Sequence, residues 1–462
     1  MARKKEETID ISYLKKKSRE YSIKDGIFAT LKDSLGNSYI SPFAIAMNSS
    51  DYLIAMLSSI PGLLGPICQW KSSKLVEKYP RKLIVVKAVS IEILTWIPLI
   101  ILSLLYYFNI LTNLLPFLLL IFFSIYIITA NFGAPAWFSW IGDIIDDKDR
   151  GRWFAKRHFI FGFVTLISTL LAAIFLDVLK KYDLAMIGFG LLFFLAMISR
   201  IISRFFLKKM YEPPIKLEKG YYFTFREFIK KAPHNNFGRF TIFRALIGFS
   251  TMIAGPFFAV YMLKELKFNY LTFMLITMSQ TFFTLIILKF WGRFSDKFGN
   301  YEVLRITSIL IAIYPITWLI SDNPIYLILG PQLIGGLGWA GFNLSASNYI
   351  FDCVTPQKRS LALSYYELMN GTGILLGGIL GALLISYLNI SFMNIILFVF
   401  LISGLARILI VVIMIPMFTE VKNKEKFESS ELFKNLIFKT IRLPSHEANQ
   451  GNHELRFHHK KL

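Results

Sequence analysis

Long apolar runs dominate this chain and leave it few ways to fold. Leu83–Leu105, Leu114–Ala130 and Ile395–Met417 each match the ~20 residues that a helix needs to cross a hydrocarbon core ~30 Å thick. No water reaches the backbone there, so each run must satisfy its own N–H and C=O groups as a helix. The runs are typical of the chain, which is 55% hydrophobic over 462 residues with a mean hydropathy of +0.52. The Gly and Pro scattered through them are tolerated in membrane helices.

Length and charge together predict twelve spans, at 24–47, 51–70, 83–106, 114–141, 158–178, 183–205, 238–262, 269–291, 303–320, 325–350, 361–385 and 390–417. The first carries Lys32 and Asp33, and the seventh carries Arg244. Both are retained because one half of the chain echoes the other. Ser73-Lys74-Leu75-Val76-Glu77-Lys78-Tyr79-Pro80 aligns with Gly292-Arg293-Phe294-Ser295-Asp296-Lys297-Phe298-Gly299. Ser41-Pro42-Phe43 aligns with Gly255-Pro256-Phe257. Trp140-Ile141-Gly142-Asp143 aligns with Tyr349-Ile350-Phe351-Asp352, with Arg150 and Arg359 following. Three anchors in one order argue for duplication of a half-protein, and like halves in a membrane chain suggest transport around a central site.

The formal net charge of +21 is explained by where the basic residues sit. With a cytoplasmic N-terminus and alternating sides, nearly all of them fall on inside segments. The outside loops keep only Lys180, Lys181, Lys264 and Lys267. This is the positive-inside bias, so the charge points to anionic lipid and no nucleic-acid partner is expected. Both chain ends are expected in the cytoplasm of a cell that carries the protein in its plasma membrane. The two cysteines, Cys68 and Cys353, supply no disulfide framework or metal spacing, and neither a metal nor a cofactor is expected. The charged N-terminal stretch predicts no cleavable signal peptide.

The expected organisation is an N-terminal segment at 1–23, a six-helix half at 24–206, a loop at 207–237, a second half at 238–418 and a basic, disordered tail at 419–462. Within the loop, aromatics and charges alternate over Tyr221–Lys231, which predicts an amphipathic helix on the inner leaflet.

Twelve spans in two halves, with a charged hairpin after spans two and eight, resemble the major facilitator superfamily. The hairpin resembles that family's Gly-x-x-x-Asp-Arg/Lys-x-Gly motif. It stands here as Gly292, Asp296, Lys297 and Gly299, with Arg305 beyond. The first copy departs, with Ser73, Glu77 and Pro80 at the three defining positions, but keeps Arg81 and Lys82. The resemblance implies an all-α membrane protein of twelve helices in two pseudo-symmetric halves, monomeric, working by rocker-switch alternating access. It also implies that the hairpin acid sits against a neighbouring helix N-terminus, where an anion is favoured. Glu77, Arg81, Asp143, Arg150, Asp296, Lys297, Asp352 and Arg359 then form an inner gate of charge pairs. The alternative is that these charges only orient the chain and lie solvated in loops.

Charges inside spans cost ~2.5–3.5 kcal/mol or more at mid-membrane, so each needs a partner or a water-filled cavity. Thr30, Asp33, Ser34, Asn37, Ser38 and Ser41 fall on one side of a helix by their three- and four-residue spacing. The resemblance turns spans one, four, seven and ten toward the cavity. Asp33, with Lys32 and Asn37, is therefore the candidate for substrate or proton work; the alternative is a fixed ion pair, with Arg244 as partner. Arg244 in turn is a candidate for an anionic substrate group, or snorkels. Asn131, Trp137, Asn343, Tyr365 and Glu367 complete the expected pathway. Glu92 and Arg407, on helices the family places outermost, are read as structural.

The expected function is secondary transport of a small organic solute, with protons as the candidate coupling ion. Drug or amphiphile efflux is the alternative within the same fold. A lipid-modifying enzyme is disfavoured, because two histidines (His158 and His234) lie outside the tail and form no cluster, and ATP-driven transport is disfavoured because no phosphate-binding Gly-Lys-Ser/Thr loop occurs. A receptor is disfavoured by the span count and the repeat.

Overall fold

The computed structural model describes residues 2–145, 147–214 and 224–422, excluding the side chains of 2–10, 77, 147–152, 155 and 356–360. Among the described residues there are helices and no strands. The first bundle comprises α1 (Ala2–Leu35), α2 (Ile40–Ala46), α3 (Asp51–Ser73), α4 (Arg81–Tyr107), α5 (Leu115–Phe132), α6 (Ala134–Ile144), α7 (Asp147–Lys180) and α8 (Ala185–Lys209). The short α9 (Phe225–Lys231) leads into the second bundle. That bundle comprises α10 (Asn236–Ala254), α11 (Phe257–Val260), α12 (Tyr270–Phe298), α13 (Asn300–Thr317), α14 (Pro324–Leu327), α15 (Leu333–Cys353), α16 (Pro356–Tyr387) and α17 (Ile395–Met414). Ten stretches of the described residues are long and apolar enough to cross a membrane. The two expected spans outside that set are α1–α2 and α13, both of which carry charged residues.

The sequence echo returns as an echo in packing. In the first bundle α1 packs on α7 and α8, α4 on α5 and α8, and α3 on α5. In the second, α10 packs on α16 and α17, α13 on α15 and α17, and α12 on α15. The bundles meet through α3 against α16 and α7 against α12, again a matched pair.

Glycines set the α16 contacts. A Cβ at Gly373 or Gly377 would run into the Ala245 or Phe249 carbonyl of α10, and one at Gly371 into the Gly62 carbonyl of α3. Small residues at such spacing let backbones approach closely. Gly377→Val is therefore expected to cost about 1–3 kcal/mol, read as earlier thermal unfolding in detergent. Gly142→Val, with open space around its Cβ position, is expected to change little.

Four expected spans are interrupted, and they are the first, fourth, seventh and tenth. The first breaks at Gly36, where a tight turn over Asn37–Tyr39 separates α1 from α2. The fourth breaks at Gly133, between α5 and α6. The seventh breaks at Gly255-Pro256 and then widens into a π-helical turn over Tyr261–Glu265. The tenth has a π-helical turn over Ile328–Gln332, which contains Pro331. Proline removes a backbone donor and glycine weakens a helix, and the freed groups are tolerated where they are buried in protein or line a cavity.

The amphipathic helix expected of the central loop over Tyr221–Lys231 is described in part. The part at 221–223 lies outside the described residues. The remainder is α9, opened by a capping box between Thr224 and Glu227. Its Phe228 is buried against Phe237 and Tyr365, so this apolar side chain packs on protein instead of lipid.

Candidate functional site

Asp33 lies on α1 just before the Gly36 break, and its side chain is 52% exposed. Asn37 is exposed beside it, and Asn343 and Ser347 are exposed on α15. Exposed polar groups at this depth require water between helices, not hydrocarbon.

Behind Asp33 runs a buried chain of charges through the first bundle. The Lys32 amine reaches Asp33 Oδ1 at 2.6 Å, Glu92 Oε1 at 3.1 Å and the Tyr126 hydroxyl at 3.0 Å. Glu92, on α4, accepts from Arg200 of α8 at 2.6 and 2.9 Å. Arg200 also donates to Ser203 at 2.9 Å, and Ser203 donates to Asp25 at 2.6 Å. Asp25 faces a cavity of about 210 Å³ that Glu92, Trp137, Arg157 and Arg200 also line. There the Arg157 guanidinium lies 4.5 Å from the Trp137 ring and 4.5 Å from the Phe161 ring. Three acids (Asp25, Asp33, Glu92) balance three bases (Lys32, Arg157, Arg200), as burial of charge demands.

In the second bundle, Arg244 does not meet Asp33. Its guanidinium lies 5.5 Å from the Phe342 ring and 6.0 Å from the Trp339 ring, with Tyr366 and Glu367 nearby. Asn131 accepts from Gln69 at 2.8 Å and donates to the Ile127 carbonyl, which ties α5 to α3. Tyr365 is enclosed by Phe225 and Phe228, away from the water-filled gap. Arg407 is fully buried and donates to the Ile311 carbonyl at 2.9 Å.

At the face that carries Arg81 and the segment after α17, charge pairs close within each bundle. Arg81 donates to Asp143 at 2.6 Å, to Ser139 and to the Pro213 carbonyl. Asp352 accepts from Asn300 at 2.8 Å and from Lys422 at 2.6 Å. That bond holds the Lys422 amine above the usual lysine range. Arg305 pairs with Glu302 at 2.7 Å. Asp296 and Lys297 are exposed at the end of α12. Gly292 has open space at its Cβ position. Gly299 adopts φ +95°, a left-handed conformation that glycine takes freely, and the Glu420 carboxylate packs against it and caps the Tyr301 N–H at 2.9 Å. The side chains of Glu77, Arg150 and Arg359 lie outside the described residues.

The opposite face ties the bundles together. Asp177, near the end of α7, accepts from the Tyr270 and Leu271 N–H groups at the start of α12, at 2.9 and 2.8 Å. Lys264 reaches Asp51 at 2.7 Å and the Ser49 carbonyl at 2.9 Å. Sequence reasoning missed Asp25, Arg157, Arg200, Asp177 and this Lys264 pair. Two signals were available: Asp25 lies seven residues before Lys32, two turns along the same helix side, and Arg200 interrupts the apolar run of α8.

Residues 240–448 match the family described as Major Facilitator Superfamily. No curated protein matches the chain. Among solved structures, the nucleoside transporter NupG is similar with a TM-score of 0.63 at 16% identity, over 87% of this chain and 98% of that one. A bacterial homologue of the iron transporter ferroportin in its inward-facing state gives 0.62 at 14% identity, over 87% and 98%. Its outward-facing state gives 0.55 at 15% identity, over 87% and 99%. At these identities the likeness is one of fold, and it spans nearly the whole of each transporter. The family match covers the second bundle, and with ten stretches long and apolar enough to cross a membrane and the matched packing of the two bundles, the chain has the fold of these membrane transporters.

Proposed function

We propose that the protein is a secondary transporter that moves a small organic solute by alternating access, coupled to protons through Asp33. The observation that carries this reading is the half-exposed Asp33 carboxylate, bonded to Lys32 beside a helix break while the far ends of the bundles are tied. Ionised Asp33 holds Lys32; protonated, it releases the amine to Glu92 and Tyr126, which already share it. One site thus has two charge arrangements, as a coupled cycle requires. Arg244 with the partly buried Trp339 supplies an aromatic and cationic wall suited to an organic solute with an anionic group.

The two halves, 24–206 and 238–418, act as the rocking units. The charge bias supports cytoplasmic chain ends in the plasma membrane, which makes the tied face extracellular and the conformation inward-facing. The higher similarity to the inward-facing ferroportin homologue, 0.62 against 0.55, supports that state. Within this cycle the hairpin residues Glu77, Arg81, Asp296 and Lys297, with Asp143, Arg150, Asp352 and Arg359, are proposed to form the cytoplasmic gate when the inner ends close.

Proteoliposomes offered pools of sugars, organic acids, amino acids and amphiphiles test the reading, with a lumenal pH dye. One pH unit is worth ~1.36 kcal/mol per proton, so a one-unit gradient is expected to drive about ten-fold accumulation by the wild type. Asp33→Asn is expected to equilibrate solute without accumulation or proton movement. Equal accumulation by both proteins removes Asp33 from coupling. Solute entry without any pH change in the wild type makes the protein a facilitator.

A further inference from the structure

Between α4 and α5 lies a groove of about 310 Å³, almost wholly apolar, walled by Leu83, Ile91, Ile128 and Phe132. Among the described residues, its one charged lining residue is Lys87. This lysine lies six residues into α4, or ~9 Å along the axis, in the exposed stripe Leu83, Lys87, Ile91, Leu94. A four-residue stripe of this kind on a membrane helix faces lipid. Tyr79 forms the rim of the groove and also lines the adjoining hollow of Lys78, Pro80 and Glu212. Glu212 lies 3.9 Å from Arg81, and Lys82 donates to the Met210 carbonyl at 2.7 Å. Lys78 and Lys87 have no bonded partner among the described residues.

We propose that this groove binds one anionic phospholipid from the bilayer, with an acyl chain along Ile91 and Ile128 and the phosphate between Lys87, Tyr79 and Lys78. An apolar slot open to the membrane fills with acyl chain. A lysine at that depth is costly unless its amine rises to an anion. Both requirements are met by one ligand, and charge selects the anionic headgroup. The site is separate from the water-filled gap and adds a lipid dependence to the transport reading.

The test uses the full chain in nanodiscs of phosphatidylcholine mixed with phosphatidylglycerol, with retained lipid counted by native mass spectrometry after mild release. The wild type is expected to keep one phosphatidylglycerol. Lys87→Gln is expected to keep it about five-fold less, the worth of one basic residue near an anionic surface. Lys289→Gln, which removes another exposed lysine from a span, is expected to match the wild type, and Lys87→Arg to retain the lipid. Added phosphatidylglycerol should raise the thermal midpoint of the wild type and not that of Lys87→Gln. Retention by Lys87→Gln equal to wild type overturns the proposal. So does an equal fall in Lys289→Gln, which indicates diffuse attraction, or equal retention of phosphatidylcholine.

Discussion

Replacing Glu92 with glutamine is expected to destabilise the first bundle by about 3–5 kcal/mol, the usual cost of removing one partner from a buried ion pair. The carboxylate is 1% exposed and lies between Lys32 at 3.1 Å and Arg200 at 2.6 Å. Without it, two cations face each other across α1, α4 and α8. Arg200→Met is expected to be comparably damaging, because it leaves Glu92 to Lys32 alone and unseats the Ser203–Asp25 hydrogen bond. The double change Glu92→Leu, Arg200→Met removes one acid and one base, leaves two of each, and is expected to recover part of the stability. Asp33→Asn should cost much less, since its half-exposed carboxylate can be replaced by water. Thermal unfolding in detergent orders the four proteins. Near-equal midpoints for Glu92→Gln and wild type would show that the network is not a structural unit.

The spans were legible because the bilayer allows one solution for an apolar run, and the four helix breaks coincide with glycine or proline that the sequence displays. Partners were far less legible. Neighbours in sequence do not face each other on a helix, so nothing in the pattern suggests that Lys32 bends back onto Asp33 while also reaching Glu92 and Tyr126. The Arg244 alternative failed on the same ground, because the side a helix turns to its neighbours is set by packing, here by the Phe342, Trp339 and Tyr366 rings. Opposite charges on successive inside loops did suggest that Arg81 and Asp143 belong together. That their bond closes within one bundle depends on the turn at Ile145 and the path of Pro213, which composition does not encode. The far-face ties were invisible because Asp177 bonds backbone N–H groups, and any residue can supply those.

Asp177→Ala is expected to shift the conformational balance toward the state open at the far face by about 30- to 150-fold. Its carboxylate accepts two N–H groups from the first turn of α12. Net hydrogen bonds to a charged group are worth about 1.5–3 kcal/mol, and the helix dipole favours the anion there. Two bonds that share one carboxylate are best counted near 2–3 kcal/mol, and because they join α7 to α12 they exist only while that face is closed. Lys264→Ala is expected to do less, about five-fold, since its pair with Asp51 is 30% exposed on each side and such pairs are worth at most ~1 kcal/mol. Spin labels at Tyr182 and Ile320, both about 70% exposed, in a background lacking Cys68 and Cys353, would report the separation of the two bundles. A longer distance component should be minor in wild type, visible in Lys264→Ala and dominant in Asp177→Ala. An unchanged distribution in Asp177→Ala would mean that the tie is present in both states and does not select between them. Linkage adds a second readout: a solute that binds only the closed form must bind Asp177→Ala more weakly in proportion to the closed population it loses.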